Sequence, residues 1–160
     1  MIYYFAYGSC MDEKSFQNTV GKENYEVVGA AVLKDYQMVF NAYSAKRNGG
    51  VADLVFEPGG EMEGVLYRLK PEALEPLDER EGVGIGKYKR IEVNVCYQDH
   101  LISAMTYTVV NKEQAEIKPS IEYLQLIYSG AARHLSDSYR AKLAEEWARK
   151  FGIADFLEQN

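Results

Sequence analysis

Tyr7-Gly8-Ser9-Cys10 follows an aromatic and branched run, Ile2 to Ala6, and precedes a segment with helical spacing. Glycine and serine in such a strand-to-helix turn present consecutive backbone N–H groups beside a helix N-terminus, which favours a carboxylate or a developing oxyanion. The same pattern also describes an ordinary tight turn with a capping serine. Cys10 stands where a helix N-terminus lowers a thiol pKa, but no histidine is marked as its base. A packed turn residue is therefore the simpler reading, beside a Cys10-dependent hydrolase. Glu81 closes an acidic segment just before a glycine-rich loop. In a partly apolar pocket its carboxyl would have a raised pKa and exchange protons near neutrality, whereas in solvent it is one acid among many. Tyr88 and Tyr107 fall on neighbouring predicted strands, where phenols either line a cavity or find backbone partners in the core.

The more familiar constellations fail. His100 and His134 have no acids or cysteines at ligand spacing, so no metal site is expected. Gly82-Val83-Gly84-Ile85-Gly86-Lys87-Tyr88 suggests a phosphate loop, but Glu81 and Tyr88 replace the glycine and the hydroxyl residue that pattern requires. It also leads into a strand, and nucleotide binding is rejected. On the residues alone there is a plausible pocket without a reaction.

The elements that must position these residues are legible from period and punctuation. Ile2 to Ala6 reads as a first strand, followed by a short helix near Met11 to Thr19. Val27 to Val32 and Tyr36 to Phe40 read as strands. Val51 to Phe56 and Glu63 to Leu69 are expected to pair as a hairpin across Pro58-Gly59-Gly60. Pro71 and Pro76 predict two successive short turns rather than one helix, ending at Glu81-Gly82. Tyr88 to Tyr97 and Leu101 to Val110 alternate as paired strands. Ile121, Leu124, Tyr128, Ala131 and Leu135 then share one helix face. Ser136 offers an N-cap for a second helix, with Tyr139, Leu143, Trp147 and Phe151 as its buried line. The expectation is one α+β domain over 1–160, with closely spaced strands able to close into a barrel.

The 160 residues carry 18 Lys plus Arg against 24 Asp plus Glu, a net charge of −6, and no stretch gathers a basic face. Nucleic acid and anionic membrane both require clustered positive charge, so neither is expected as a partner. Two cysteines allow at most one bridge, which points to a reducing compartment. The apolar N-terminus lacks a basic n-region and meets Gly8-Ser9 early, and no apolar run approaches membrane length. A cytoplasmic protein, monomer or homodimer, is expected.

Tyr4-Phe5-Ala6-Tyr7-Gly8-Ser9-Cys10-Met11 resembles the opening motif of the γ-glutamylcyclotransferase family. Asn48-Gly49-Gly50-Val51-Ala52, Glu63-Gly64-Val65-Leu66-Tyr67 and Leu77-Asp78-Glu79-Arg80-Glu81-Gly82-Val83 are similar to later family segments in the same order. Tyr107, Pro119 to Tyr123 and Gly130-Ala131 extend the likeness to about residue 140. The resemblance implies a mixed β-barrel flanked by helices, with Glu81 as the catalytic acid and base. The reaction it implies is release of 5-oxoproline and a free amine from a γ-glutamyl amino acid, γ-glutamyl amine or γ-glutamyl-protected natural product, without cofactor or metal. The substrate's own α-amino group is the nucleophile, so no catalytic triad is needed. Tyr7, Gly8, Ser9, Cys10, Tyr88 and Tyr107 would surround the small-molecule substrate. Cys10 departs from the family's usual Asn. A non-catalytic ligand-binding module on the same fold is the alternative.

Overall fold

The computed structural model describes residues 1–154; positions 155–160 of the expected domain lie outside the described residues. Five strands form along the chain: β1 (Ile2–Ala6), β2 (Tyr25–Ser44), β3 (Gly49–Leu69), β4 (Tyr88–Tyr97) and β5 (His100–Val109). They close into a barrel in the order β1-β3-β2-β4-β5. β1 runs antiparallel to β3 but parallel to β5 through Tyr4 and Met105, which makes the barrel mixed. Closure gives every strand a neighbour on both sides, with the β2–β4 and β1–β5 seams registered at Val32–Cys96 and Tyr4–Met105. Among the described residues four α-helices accompany the barrel: α1 (Glu13–Val20), α2 (Leu74–Glu81), α3 (Ile121–His134) and α4 (Asp137–Phe151). None of the described helices is long and apolar enough to cross a membrane.

The expected hairpin across Pro58-Gly59-Gly60 does not form. Val51–Phe56 and Glu63–Leu69 are parts of one strand, β3, and both pair with β2. The Pro-Gly-Gly segment makes a detour opposite Asp35, with Gly59 at φ 83° and Asp35 at φ 65°, and the Asp35 carboxylate accepts the Gly59 N–H at 3.0 Å. Turn residues supply positive φ for an irregularity inside a strand as readily as for a chain reversal. The reversal lies instead at residues 45–48, where Asn48 takes φ 56°.

The expected helix near Met11 divides. A 3₁₀ turn spans Ser9–Met11, and Asp12 then caps α1, its carboxylate accepting the Ser15 N–H at 3.0 Å. The proline-rich segment also differs from two equal turns: a 3₁₀ turn at Pro71–Ala73 leads into the α-helix α2. Pro76 is the third residue of that helix, where its missing N–H would have had no intrahelical acceptor. Ser120 and Ser136 cap α3 and α4 by accepting the N–H groups of Tyr123 and Tyr139. The α3 face is rotated from the predicted line, so that Tyr123, Leu124, Ile127, Gly130 and Ala131 are buried. At Gly130 a Cβ would lie 2.3 Å from the carbonyl carbon of Met11, so only glycine lets α3 approach the 3₁₀ turn this closely.

A second irregularity matters more for the site. Val39 pairs with Asp53 and Ala42 with Val51, so Phe40 and Asn41 on β2 face Ala52 alone on β3. Asp53, fully buried, accepts hydrogen bonds there from Asn41 Nδ2 (2.8 Å), Thr108 Oγ1 (2.7 Å), Val109 N–H (3.0 Å) and Lys112 Nζ (2.5 Å). A buried carboxylate survives only with such saturation. Replacement by an amide removes the charge partner of Lys112 and turns donors toward donors. Asp53→Asn is expected to cost about 1–3 kcal/mol, read as a lower urea midpoint at unchanged m-value; an unaltered midpoint would show the cluster to be dispensable.

Candidate active site

The bulge frees the backbone of Ala52 from the ladder. Its N–H donates to Tyr123 Oη at 3.0 Å and its carbonyl accepts from Tyr88 Oη at 2.6 Å, which fixes two phenols on the backbone of one residue. Gly8 lies beside the same residue, a Cβ there falling 3.6 Å from that of Ala52. Tyr7 donates its hydroxyl to the Tyr107 carbonyl at 2.8 Å, and Tyr67 donates to the Cys10 carbonyl at 2.8 Å. The 3₁₀ turn is therefore held from the barrel interior as well as from α3. Its first internal bond is Met11 N–H to the Gly8 carbonyl, so the N–H groups of Ser9 and Cys10 precede any intrahelical acceptor.

Glu81 reaches this turn as the last residue of α2, which Gly82 ends in the left-handed conformation at φ 72°. Cys10 Sγ donates to Glu81 Oε1 at 3.8 Å. Arg80 locks α2 against α1 and the turn, donating to the Ser15 carbonyl (3.1 Å), Thr19 Oγ1 (2.9 Å) and Ser9 Oγ (3.1 Å). Asp78, on the same helix, receives Tyr107 Oη at 2.6 Å and is ion-paired with Arg90. Three residues of one short helix thus tie it to α1, the 3₁₀ turn, β4 and β5, which leaves the Glu81 carboxyl little freedom.

Burial pushes the Glu81 carboxyl above the usual glutamate range, while Arg80, the Cys10 hydrogen bond and Arg47 pull it back. Burial also raises the Cys10 thiol to about 11, with Arg80 opposing the rise. The sulfur is thus a neutral hydrogen-bond donor near neutral pH and lacks the thiolate a nucleophile needs. Tyr4, Tyr7, Tyr88, Tyr107 and Tyr123 are all driven upward, chiefly by burial, and present neutral phenols. The site is one carboxyl among uncharged donors.

Tyr7, Gly8, Ser9, Cys10, Glu81, Tyr88 and Tyr107 all border one narrow recess of about 30 Å³. Tyr4, Ala52 and Tyr123 border it as well and were not singled out from the sequence. Tyr4 belongs to the opening strand and stacks with Phe16 and Tyr67, an environment that reads as core. Tyr123 lies off the helix line chosen from the spacing. The recess opens onto an outer cleft of about 840 Å³ through Ser9, Glu81, Tyr88 and Tyr123, which border both. Arg47, from the turn between β2 and β3, stands at this junction with its guanidinium carbon 5.6 Å from the centre of the Tyr123 ring. Nothing in its local sequence marked it. Among the described residues no group of three or more His, Cys, Asp or Glu is placed to hold a metal ion.

Residues 61–143 match the model of the AIG2-like family. YkqA of Bacillus subtilis (strain 168) is 43% identical over 145 residues, covering 89% of this chain and 50% of that protein, so the chain spans about half the length of this relative. The gamma-glutamylcyclotransferase of Homo sapiens is 34% identical over 146 residues, covering 88% of this chain and 76% of its own length. A solved gamma-glutamyl cyclotransferase structure superposes with a TM-score of 0.83 at 31% identity, over 89% of this chain and 85% of that one. The barrel and helices described above are shared with it. Through both the matched model and relatives that span most of its length, the chain belongs to the AIG2-like family, the γ-glutamylcyclotransferase family of enzymes.

Proposed function

We propose that the chain is a γ-glutamyl cyclotransferase that releases 5-oxoproline and a free amino acid from a γ-glutamyl amino acid, with Glu81 as the acid and base. The observation that carries this reading is the Glu81 carboxyl, raised by burial and touched by Cys10, at the junction between a recess of neutral donors and an open cleft. That division suits a substrate in two parts. The reacting end of the glutamyl part meets the mouth of the recess against the 3₁₀ turn, since about 30 Å³ admits only a small group, and the amine part lies in the cleft.

As carboxylate, Glu81 takes a proton from the substrate's α-ammonium. The freed amine attacks the γ-carbonyl carbon, and a C–N bond closes the five-membered ring. Negative charge develops on the carbonyl oxygen, for which the N–H groups of Ser9 and Cys10 are the nearest preorganised donors at the turn. Protonated Glu81 then returns its proton to the departing nitrogen as the original amide C–N bond breaks. A raised pKa serves both halves of this cycle, since the same group must accept and give one proton near neutrality. Because the nucleophile belongs to the substrate, orientation supplies most of the advantage; effective molarities of about 10⁵–10⁸ M are reached in well-aligned intramolecular attack. Tyr88 and Tyr107, whose hydroxyls are already spent on Ala52 and Asp78, act as walls.

The amine part favours an amino acid over a cationic amine because Arg47 stands at the junction, over the Tyr123 ring that borders both recess and cleft. A carboxylate on the leaving group meets the Arg47 guanidinium, which can bind it through two hydrogen bonds. The cleft lining also carries Glu79 and Glu113, so the preference rests on Arg47 beside Tyr123 at the junction and not on the net charge of the cleft or of the chain.

Glu81→Gln is nearly isosteric and cannot shuttle the proton; its kcat for 5-oxoproline release is expected to fall by about 10²–10⁴ with an unchanged circular dichroism spectrum, and near-normal turnover would sink the assignment. Cys10→Ser keeps a donor to Glu81 and should retain activity within about tenfold, whereas a thiol nucleophile would be abolished by the same change. The acid limb of kcat/KM reports Glu81 in the free enzyme. Arg47 stabilises the carboxylate, so Arg47→Gln should raise the Glu81 pKa further and move that limb to higher pH. It should also raise KM for γ-glutamyl amino acids more than for γ-glutamyl amines without a carboxylate; an unmoved limb and equal KM changes would remove Arg47 from the site.

A further inference from the structure

The glycine-rich stretch after Glu81 is not used by the chemistry, yet it is closely ordered. Val83–Ile85 forms a 3₁₀ turn between Gly82 and Gly86, both left-handed at φ 72° and 74°. The Gly86 N–H donates to the Val83 carbonyl at 3.1 Å and the Lys87 N–H to the Gly82 carbonyl at 3.0 Å. Val83 packs against the core, but Ile85 is 75% exposed. The hydrogen-bonded turn therefore holds a large branched side chain outward, where water contact is unfavourable. Ile85 borders the outer cleft.

Tyr43, 60% exposed near the end of β2, borders the same cleft. Pro76, Val51 and Ala42 add further apolar surface to that lining. Exposed large apolar side chains are few among the described residues, and two of them face this one opening. The cleft is thus amphipathic: Arg47 at its junction with the recess offers positive charge, Glu79 and Glu113 stand elsewhere in the same lining, and Ile85 and Tyr43 offer apolar surface. A leaving α-amino acid has the matching form, with a carboxylate and a side chain on adjacent bonds of the same carbon.

We infer that the outer cleft selects a leaving amino acid with a large apolar side chain, which Ile85 and Tyr43 cover while Arg47 takes its carboxylate. The inference rests on the cyclotransferase reading and adds the class of side chain. The glycines on either side of Ile85 then serve specificity: they let a short turn project one hydrophobic residue over the leaving group without burying it beforehand. Area removed from water on both partners is the source of the preference, and it acts on the leaving group without touching the proton transfers at Glu81.

The test is 5-oxoproline release from γ-glutamylglycine, γ-glutamylalanine, γ-glutamylleucine, γ-glutamylphenylalanine and γ-glutamyllysine. The leucine and phenylalanine compounds are expected to exceed the glycine compound by about tenfold or more in kcat/KM, with the lysine compound well below them. Ile85→Ser and Tyr43→Ser, at exposed positions that do not endanger folding, should each lower the leucine-to-glycine ratio several-fold, and the double variant should lower it most. Release of 5-oxoproline with a flat panel, with a preference for glycine or lysine, or with ratios unchanged in all three variants overturns the apolar subsite while leaving the cyclotransferase reading intact. No 5-oxoproline from any of the five compounds overturns both.

Discussion

The carboxylate of Asp53 is the constraint on which the site's geometry rests. It is fully buried and takes hydrogen bonds from β2, from β5 and from Lys112 beyond β5, so it joins the barrel where β3 passes the bulge at Phe40 and Asn41. A buried charge has no tolerance for partial satisfaction, because each missing partner leaves a desolvated donor or acceptor. That intolerance is transmitted one residue along the strand to Ala52. With its strand partner displaced by the bulge, the Ala52 backbone holds Tyr123 through its N–H and Tyr88 through its carbonyl. The position of two recess walls thus follows from an interaction that itself touches no substrate.

The second anchor is α2. Its short length would make it a marginal helix in isolation, and its side chains supply the stability that propagation does not. Leu77 is fully buried, Asp78 binds Arg90 and Tyr107, and Arg80 binds the 3₁₀ turn and α1. Glu81 is left at the helix end, facing the recess. The electrostatics there are a compromise between burial, which favours the neutral acid, and Arg80, Arg47 and the Cys10 thiol, which favour the carboxylate. Neither influence alone would suit a group that must both accept and release a proton.

Much of the architecture was legible locally. The strand Tyr88–Tyr97 and the Ser136 cap of α4 follow directly from the sequence, because alternation and N-cap chemistry depend on neighbours in the chain. Pro58-Gly59-Gly60 makes no hairpin, because the residues that permit a reversal also permit a detour within a strand; pairing of β3 with β2 along both of its parts decides between them. The α3 face was displaced because Tyr123 and Ile127, rather than Ile121 and Tyr128, turn inward once Gly130 meets Met11. Arg47 has no local signal, and Tyr4 and Tyr123 stand in family-like segments without anything that marks them as site residues: an arginine in a turn and tyrosines on apolar faces are ordinary features until distant segments are brought beside them.

By itself, the chain determined the residue types and their order: an opening strand that turns at Gly8-Ser9, an acid ending a proline-initiated segment, and two capped helices. These are short-range matters of backbone preference and periodicity. Only the tertiary structure decided that Glu81 and Cys10 meet across 71 residues of sequence, that a bulge turns the Ala52 backbone into a clamp for two phenols, and that Ile85 and Tyr43 share one opening. Barrel closure sets those proximities, and the resulting loss of water around Glu81 changes the chemistry of a group whose sequence neighbours do not distinguish it from a surface acid.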